Sequence, residues 1–393
     1  MSAQSLKPGW RMVKFGDIAQ NVAVRVDPAD AKTDVYVGLE HLDPSTIHLR
    51  QWGHPSDVTG QKLAFKKGDV IFGRRRAYQR KLAVAEFDGI CSAHAMVVRA
   101  KPKMILPEFL PFFLQSDMFM ERAIEISVGS LSPTINWKTL KVQEFPLPSL
   151  DEQKRIAEIL WAADEAVGKY KESVDSLAAV KSQTLRESLR HESTREMICG
   201  ELYSVPPRNG FSPKTNASGA GYPTLSIGAV RDGRVDPSGN TKFAEISQSD
   251  LEKFRLRAGD ILVVRGNGNK HLCGKAGLVT EVPEDCFYPD LLIRIAFDAE
   301  RVLPDFAIAQ WNDPLTHSNL LAYAKSTNGI WKINGKDLRQ HKLLVPDLGV
   351  QREIVKQLSV IDARESELSQ HIEVLLGLQR QIANDVTKGA THV

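Results

Sequence analysis

The chain has 393 residues, which predicts two or three domains at about 100–200 residues per domain. It is 42% apolar and 25% charged, an ordinary globular composition that excludes global disorder and collagen-like repeats. A net charge of +3 does not by itself indicate nucleic acid, and four cysteines without CxxC spacing exclude a disulfide scaffold and disfavour a zinc ribbon.

The first 148 residues predict a mixed α+β domain. The N-terminus, Met1 to Trp10, lacks the apolar core of a signal peptide, and no later run is long enough to span a membrane. We therefore expect a soluble, cytoplasmic protein with reduced thiols. Turn signals such as Asp88-Gly89 separate short β-branched or aromatic runs such as Asp69–Phe72, which predict strands. Residues 107–122, with four phenylalanines, predict a short helix.

The densest positive charge lies around the end of the predicted strand Asp69–Phe72. A loop that begins at a strand end projects from a fixed base, and arginine can pair with guanine or clamp phosphate. Tyrosine adds stacking and glutamine adds amide readout. The predicted DNA-binding residues of this loop are Arg74, Arg75, Arg76, Tyr78, Gln79, Arg80 and Lys81. We expect Arg76 or Gln79 to contact a base; a solvated basic surface is the alternative.

A long helix is predicted over residues 149–192. Ser149 and Glu152 fit a capping box, and no proline follows before about His191. Apolar residues then recur at alternating steps of four and three, the heptad spacing of a coiled coil. The predicted helix-pairing residues are Ile156, Leu160, Val167, Val174 and Leu177.

Residues 193–346 predict a second mixed α+β domain. The strand Asp260–Val264 is followed by a loop that is polar and basic, like the first loop but different in sequence. Glycine allows a backbone to approach DNA closely, and asparagine can pair with adenine through two hydrogen bonds. The predicted DNA-binding residues here are Arg265, Asn267, Asn269, Lys270, His271 and Lys275. We expect a base contact from Asn267 or Asn269; a tight Gly-Asn turn without a ligand is the alternative.

The remaining residues, 347–393, predict a second long helix in the same heptad register. Each of its heptad positions lies 198 residues after one in the first helix, and only Glu365 interrupts the apolar stripe. The predicted helix-pairing residues are Ile354, Leu358, Ile361, Leu368, Ile372 and Leu375. We expect Leu160, Val174, Leu358 and Ile372 to be buried between the two helices. The alternative is that each helix packs on its own domain.

An internal repeat relates the two halves of the chain. The strongest match is at the two helix junctions, and three further matches follow the same order at offsets between 186 and 198 residues. The matching pairs are Pro148–Ile156 with Pro346–Ile354, Ile135-Asn136 with Ile333-Asn334, Phe65–Ile71 with Leu256–Leu262, and Tyr36–Leu39 with Tyr222–Leu225. If the helices pair antiparallel, a pseudo-twofold axis relates two similar domains, an arrangement typical of proteins that read two DNA half-sites.

Catalytic motifs fail at defining positions. The dipeptide Gly274-Lys275 ends like a P-loop, but Ala276 replaces the required serine or threonine. No G-x-S-x-G or H-E-x-x-H motif is present, and the histidines are scattered. We therefore expect no catalytic residue and no metal site in this chain, although His41 and His48 lie seven residues apart around a turn.

The junction Pro146–Ile156, repeated at Val345–Ile354, resembles the specificity subunit of type I restriction-modification enzymes. The strand Lys67–Ile71 and the dipeptide Ile135-Asn136 resemble that family's target recognition domains, so the resemblance covers nearly the whole chain. It implies an α+β fold with two mixed α/β target recognition domains separated by two long antiparallel coiled-coil helices. The target recognition domains would be residues 1–148 and 193–346. The central helix would be residues 149–192, and the C-terminal helix that pairs with it would be residues 347–393.

The resemblance also implies a function without catalysis. The chain would read a bipartite asymmetric site in double-stranded DNA and dock two copies of a methyltransferase subunit, which methylates adenine with S-adenosylmethionine. A restriction subunit that uses ATP and Mg²⁺ would join them, and this chain would hold no cofactor and contact no membrane. Two alternatives remain: a stand-alone DNA methyltransferase or nuclease with unrecognised motifs, and a coiled-coil scaffold with two protein-binding domains.

Overall fold

The computed structural model describes residues 6–216, 218–327 and 329–387. It divides into two compact units. The first unit comprises Met1–Glu172 with Ser369–Val393, and the second comprises Ser173–Leu368. The ends of the first and last predicted domains, residues 1–5 and 388–393, lie outside the described residues.

The first unit contains a mixed α+β domain followed by the first part of a long helix. Its elements are β1 (Arg11–Lys14), α1 (Phe15–Ile18), β2 (Ala19–Asn21), β3 (Arg25–Val26), β4 (Tyr36–Val37), β5 (Lys62–Phe65), β6 (Val70–Phe72), β7 (Leu82–Val84), β8 (Gly89–Cys91), β9 (Met96–Ala100), α2 (Leu110–Gln115), α3 (Asp117–Glu125), α4 (Trp137–Leu140), β10 (Glu144–Leu147) and α5 (Leu150–Ser188).

Two four-stranded sheets form the body of this domain, in the orders β2-β9-β6-β7 and β3-β5-β8-β4. All three residues of β6 are buried, because Val70 and Phe72 face one apolar core while Ile71 faces a second. This explains why the sequence of β6 is continuously apolar rather than alternating. Strands β1 and β10 pair antiparallel and bring the two ends of the domain together.

The second unit repeats this plan. Its elements are β11 (Arg195–Ile198), β12 (Tyr203–Asn209), β13 (Tyr222–Leu225), β14 (Val230–Arg231), β15 (Arg234–Val235), β16 (Thr241–Ala244), α6 (Gln248–Phe254), β17 (Ile261–Val264), β18 (Gly266–Asn267), β19 (Ala276–Leu278), β20 (Leu292–Phe297), α7 (Pro304–Asn312), α8 (Pro314–Leu321), β21 (Lys325–Thr327), β22 (Ile330–Lys332), α9 (Gly335–Gln340), β23 (Lys342–Val345) and α10 (Leu348–Thr387).

Strand β17 occupies the place of β6. It lies inside a six-stranded sheet of order β12-β20-β17-β19-β15-β14, and all four of its residues are buried between two apolar clusters. Strands β11 and β23 pair antiparallel at the ends of the domain, as β1 and β10 do in the first unit. The repeat inferred from short sequence matches is therefore a repeat of structure.

Each unit contains part of both long helices, because the division falls after Glu172 in α5 and after Leu368 in α10. Within each unit the two helices run antiparallel. In the first unit Gln379 donates a hydrogen bond to the carbonyl of Leu160 at 3.1 Å, and the rings of Tyr170 and His371 lie 5.6 Å apart. Residues later in α5 therefore contact residues earlier in α10, as expected for antiparallel helices. In the second unit Lys181 pairs with Asp362. The predicted fold class is confirmed. No helix among the described residues is long and apolar enough to cross a membrane.

The heptad residues divide into two groups by burial. Six are buried: Ile156, Leu160, Val167, Ile354, Leu358 and Leu368. Five are half-buried: Val174, Leu177, Ile361, Ile372 and Leu375. Ile156 and Leu160 belong to the core of the first domain, and Ile354 and Leu358 belong to that of the second. The first turns of each helix therefore pack on their own domain. The sequence analysis offered this packing as the alternative for the whole length of each helix.

A buried glutamine lies in the first turn of each long helix, and the sequence analysis did not identify it. The Gln153 side chain accepts from the amide of Leu106 at 2.9 Å and donates to the carbonyls of Met104 and Pro148 at 3.1 and 3.0 Å. At the second junction the Gln351 side chain accepts from the amide of Leu303 at 2.8 Å and donates to the carbonyls of Arg301 and Pro346 at 2.9 and 2.8 Å. Three backbone groups at each junction thus depend on one side chain.

The helix caps differ from the predicted capping box. Ser149 accepts from the amide of Glu152 at 3.3 Å, but the Glu152 carboxylate accepts from the indole of Trp10 at 3.1 Å instead of returning to the backbone of Ser149. At the second junction Asp347 accepts from the amide of Val350 at 3.0 Å. An aspartate therefore caps α10 where a serine caps α5.

Candidate nucleic-acid interface

The first loop, Gly73–Lys81, leaves the end of the buried strand β6. Arg76 and Arg80 have φ angles of 56° and 53°, in the left-handed region that few residues other than glycine adopt. They flank a short helical turn whose first residue, Ala77, is buried, while Tyr78 and Gln79 are exposed. Backbone strain of this kind is concentrated at functional sites.

Three basic residues of the first loop bind their own domain. Arg74 donates to the carbonyl of Ala93 at 3.0 Å, Lys81 donates to that of Leu39 at 2.9 Å, and Arg80 forms an ion pair with Asp117. Burial is the largest single effect and would raise the pKa of Asp117, but the hydrogen bond and charge of Arg80, together with Asn384 and Arg380, lower the pKa below its ordinary value.

The other four predicted residues of the first loop have exposed side chains. They are Arg75, Arg76, Tyr78 and Gln79. The structure therefore separates the predicted residues into three that orient the loop and four that a ligand can reach.

A neighbouring segment, Val128–Thr134, lies along the first loop. The amide of Arg76 donates to the carbonyl of Pro133 at 2.8 Å, and the amide of Ile135 donates to that of Arg74 at 3.0 Å. Val128 and Thr134 exchange backbone hydrogen bonds, and Leu131 between them is 92% exposed. We call Val128–Thr134 the first hairpin. Sequence reasoning missed it, although Gly129 and Pro133 were available as turn signals.

The second loop, Arg265–Lys275, follows β17 and is also joined to a hairpin. Gly266 and Asn267 form β18, which pairs with Lys332 and Trp331 of β22. We call the paired strands β21 and β22 the second hairpin. Two internal hydrogen bonds shape the loop: Asn267 accepts from the amide of Asn269 at 2.8 Å, and Asn269 accepts from that of His271 at 2.9 Å. The loop thus contains a turn held by asparagine side chains.

The basic residues of the second loop are also only partly available. Arg265 donates to the carbonyl of Asp290 at 3.1 Å, and Lys275 donates to that of Asn312 at 3.1 Å. Burial lowers the pKa of the half-buried Lys275. Lys270 lies 4.6 Å from the ring centre of Trp331, a cation–π contact between loop and hairpin. The exposed members are Asn269, Lys270 and His271, and Asn267 is half-buried.

Both ring nitrogens of His48 contact carboxylate groups. Its ring nitrogens lie 2.5 Å from a carboxylate oxygen of Glu86 and 2.6 Å from one of Asp164 on α5. The hydrogen bond to Asp164 is the largest of the effects that raise the pKa of His48, and Glu86 adds to it against burial. Among the described residues no group of three or more His, Cys, Asp or Glu side chains is arranged to hold a metal ion.

Comparisons with known proteins find similarity to specificity subunits of type I restriction enzymes. The model of the type I restriction modification DNA specificity domain matches residues 9–172. The chain is 26% identical to the type I restriction enzyme EcoKI specificity subunit of Escherichia coli (strain K12), covering 84% of this chain and 73% of that protein. It is 24% identical to the StySPI specificity subunit of Salmonella potsdam, covering 81% and 70%.

Two solved structures share the fold. One, from work on complex assembly and conformational transition of the type I R-M system, has a TM-score of 0.56 at 21% identity and covers 98% of this chain and 99% of that chain. The other is a type I restriction-modification S subunit from M. genitalium, with a TM-score of 0.51 at 14% identity, covering 100% and 98%.

Proposed function

We propose that this chain, which belongs to the specificity subunits of type I restriction-modification systems, reads a bipartite asymmetric site in duplex DNA, one half-site with each domain. As a specificity subunit the chain is a non-catalytic subunit that recognises DNA sequence. The alternative of a stand-alone methyltransferase or nuclease is therefore rejected.

The observation that carries the proposal is the repeated pairing of loop and hairpin. In each unit the loop that follows a fully buried strand, β6 or β17, is joined to a hairpin by backbone hydrogen bonds, Arg75 opposite Thr134 in one and Gly266 opposite Lys332 in the other. The pairing repeats, yet the side chains differ, with arginines in the first loop and asparagine, lysine and histidine in the second. Different side chains at one structural position suit two different half-sites.

The partners and cofactors in this proposal follow from the family. Two methyltransferase subunits dock on the helices and bind the S-adenosylmethionine with which they methylate adenine. A restriction subunit binds ATP and Mg²⁺. This chain supplies the DNA-reading surface and binds none of these cofactors, and the complex acts in the cytoplasm.

Genome-wide mapping of adenine methylation, in cells with and without this gene, tests the proposal. We expect one bipartite motif to be methylated only when the gene is present. Replacing residues 8–148 by the corresponding domain of a relative should change one half of that motif and leave the other half unchanged. A change in both halves, or in neither, would contradict separate reading by the two domains. Binding of S-adenosylmethionine by the purified chain alone would contradict the assignment of that cofactor to a partner.

A further inference from the structure

A cavity of about 340 Å³ opens beside the base of the first loop. Four basic side chains line it: Arg25, Lys62, Arg74 and His94. None of its lining residues is acidic. Only Arg74 belongs to the loop, so the other three extend the basic surface to strands β3 and β5 and to the turn before β9. We call this cavity the anion pocket.

The partners of these cations orient them without cancelling their charge. Arg74 donates to the carbonyl of Ala93, Lys62 donates to that of Gly60 at 2.8 Å, and Arg25 donates to the amide oxygen of Gln61 at 3.3 Å. Each acceptor is neutral.

The pKa of His94 is lowered in part by the same excess of positive charge. Its pKa lies below the ordinary histidine value, first because the ring is partly buried and then because Arg75, Arg74 and Lys62 repel a further positive charge. An anion in the pocket would remove that repulsion.

The second unit has an acid at the corresponding place. Arg265 bonds to the carbonyl of Asp290 as Arg74 bonds to that of Ala93. The Asp290 carboxylate lies 4.0 Å from the Arg265 guanidinium and accepts from the hydroxyl of Ser212 at 2.7 Å. The excess of positive charge around Arg74 thus has no counterpart around Arg265.

We infer that the anion pocket binds a phosphate of the DNA backbone, and that the second unit makes no equivalent contact. The inference rests on the proposed function. Arginine and lysine are the side chains that hold phosphate oxygens, and three of them, Arg25, Lys62 and Arg74, line this cavity. Phosphate contacts set the register of a protein on the duplex without reading sequence. The pocket would fix where the first loop meets the bases.

The test uses the full chain and a labelled duplex titrated at several salt concentrations. Lys62→Met removes one cation from the pocket. Ala93→Asp copies the acid of the second unit and places it beside Arg74. Lys32→Met is the control, because Lys32 is an exposed lysine of the same unit outside the pocket. Both pocket variants should weaken binding to specific and scrambled duplexes alike and lower the salt slope by about one unit. The control should change neither quantity.

Different results separate the inference from the proposed function. If the pocket variants match the control while replacement of the exposed arginines of the first loop abolishes binding, the pocket inference is wrong and DNA recognition stands. If the wild-type chain binds no duplex, but inorganic phosphate shifts the His94 ring resonances, the pocket takes a free anion and the DNA assignment is overturned. Thermal unfolding of each variant should match that of the wild type, so that a loss of binding is not a loss of fold.

Discussion

Replacing either buried glutamine at the helix junctions should destabilise the unit to which it belongs. Gln153→Met and Gln351→Met nearly preserve side-chain volume, and each removes three hydrogen bonds to the backbone. Both glutamines are completely buried, so water has little access to the groups left without partners. At about 1–3 kcal/mol for each buried backbone group left without a partner, each substitution should cost at least about 3 kcal/mol.

Amide hydrogen exchange is the assay that resolves this effect. The Leu106 amide donates to Gln153, and the Leu303 amide donates to Gln351. Each amide should lose protection in the variant of its own unit and keep it in the other. Chemical denaturation alone would be less informative, because two units need not unfold in a single transition.

The exposed Gln357 of α10 provides a matched control, since Gln357→Met changes the same chemical group where water can replace its contacts. This control should cost less than about 0.5 kcal/mol. If the two junction variants cost no more than the control, the buried glutamines do not hold the helix starts to their domains.

Four further predictions follow from the contacts. Leu160→Ala, at a fully buried position, should cost about 2–5 kcal/mol in denaturation, whereas Val360→Ala on the exposed side of α10 should cost almost nothing. The raised pKa of His48 means that its two ion pairs stabilise the first unit fully below about pH 6.5. That stabilisation should be lost as pH rises through the higher folded pKa, and His48→Gln should abolish this pH dependence. Arg76→Ala should cost about 1–3 kcal/mol on the specific duplex only, if Arg76 contacts a base, with Lys32→Ala as the unaffected control. Inserting one turn, about 5.4 Å, into both α5 and α10 should lengthen the gap in the methylated motif by one or two base pairs without changing either half.

Periodic and continuous features of the fold could be predicted from the sequence. The apolar steps of four and three in residues 156–177 predicted the long helix. The apolar runs of β6 and β17 predicted the buried strands that precede the two loops. These signals are local, because helix and strand periods repeat within a few residues. The repeat was visible for the same reason, since each matching segment is short and contiguous.

The sequence could not predict in this way which basic loop residues bond to their own domain and which stay exposed. Arg74, Arg80 and Lys81 look like their exposed neighbours in sequence, and they differ only because Ala93, Asp117 and Leu39 lie beside them in the folded domain. His48 is a similar case, because its carboxylate partners come from 38 and 116 residues away. Contacts at such separations leave no periodic signal in the chain.

The two domains agree where backbone groups are buried and differ where side chains are exposed. Before each buried strand, Gly68 and Gly259 have φ angles of 89° and 90°, and Asp69 and Asp260 each accept from an amide three residues earlier at 2.8 Å. A turn with positive φ and a buried carboxylate tolerates few substitutions.

The exposed side chains of the loops that follow these strands are under no such constraint, because Arg75, Tyr78 and Gln79 of the first loop and Asn269, Lys270 and His271 of the second fill no core. Their sequences can change without loss of the fold beneath them. If the loops read DNA as proposed, a new DNA target would require new loop residues on an unchanged scaffold. We expect loop exchange between the two domains to alter binding preference far more than stability, provided that the internal contacts of Arg74, Arg80, Lys81, Arg265 and Lys275 are kept.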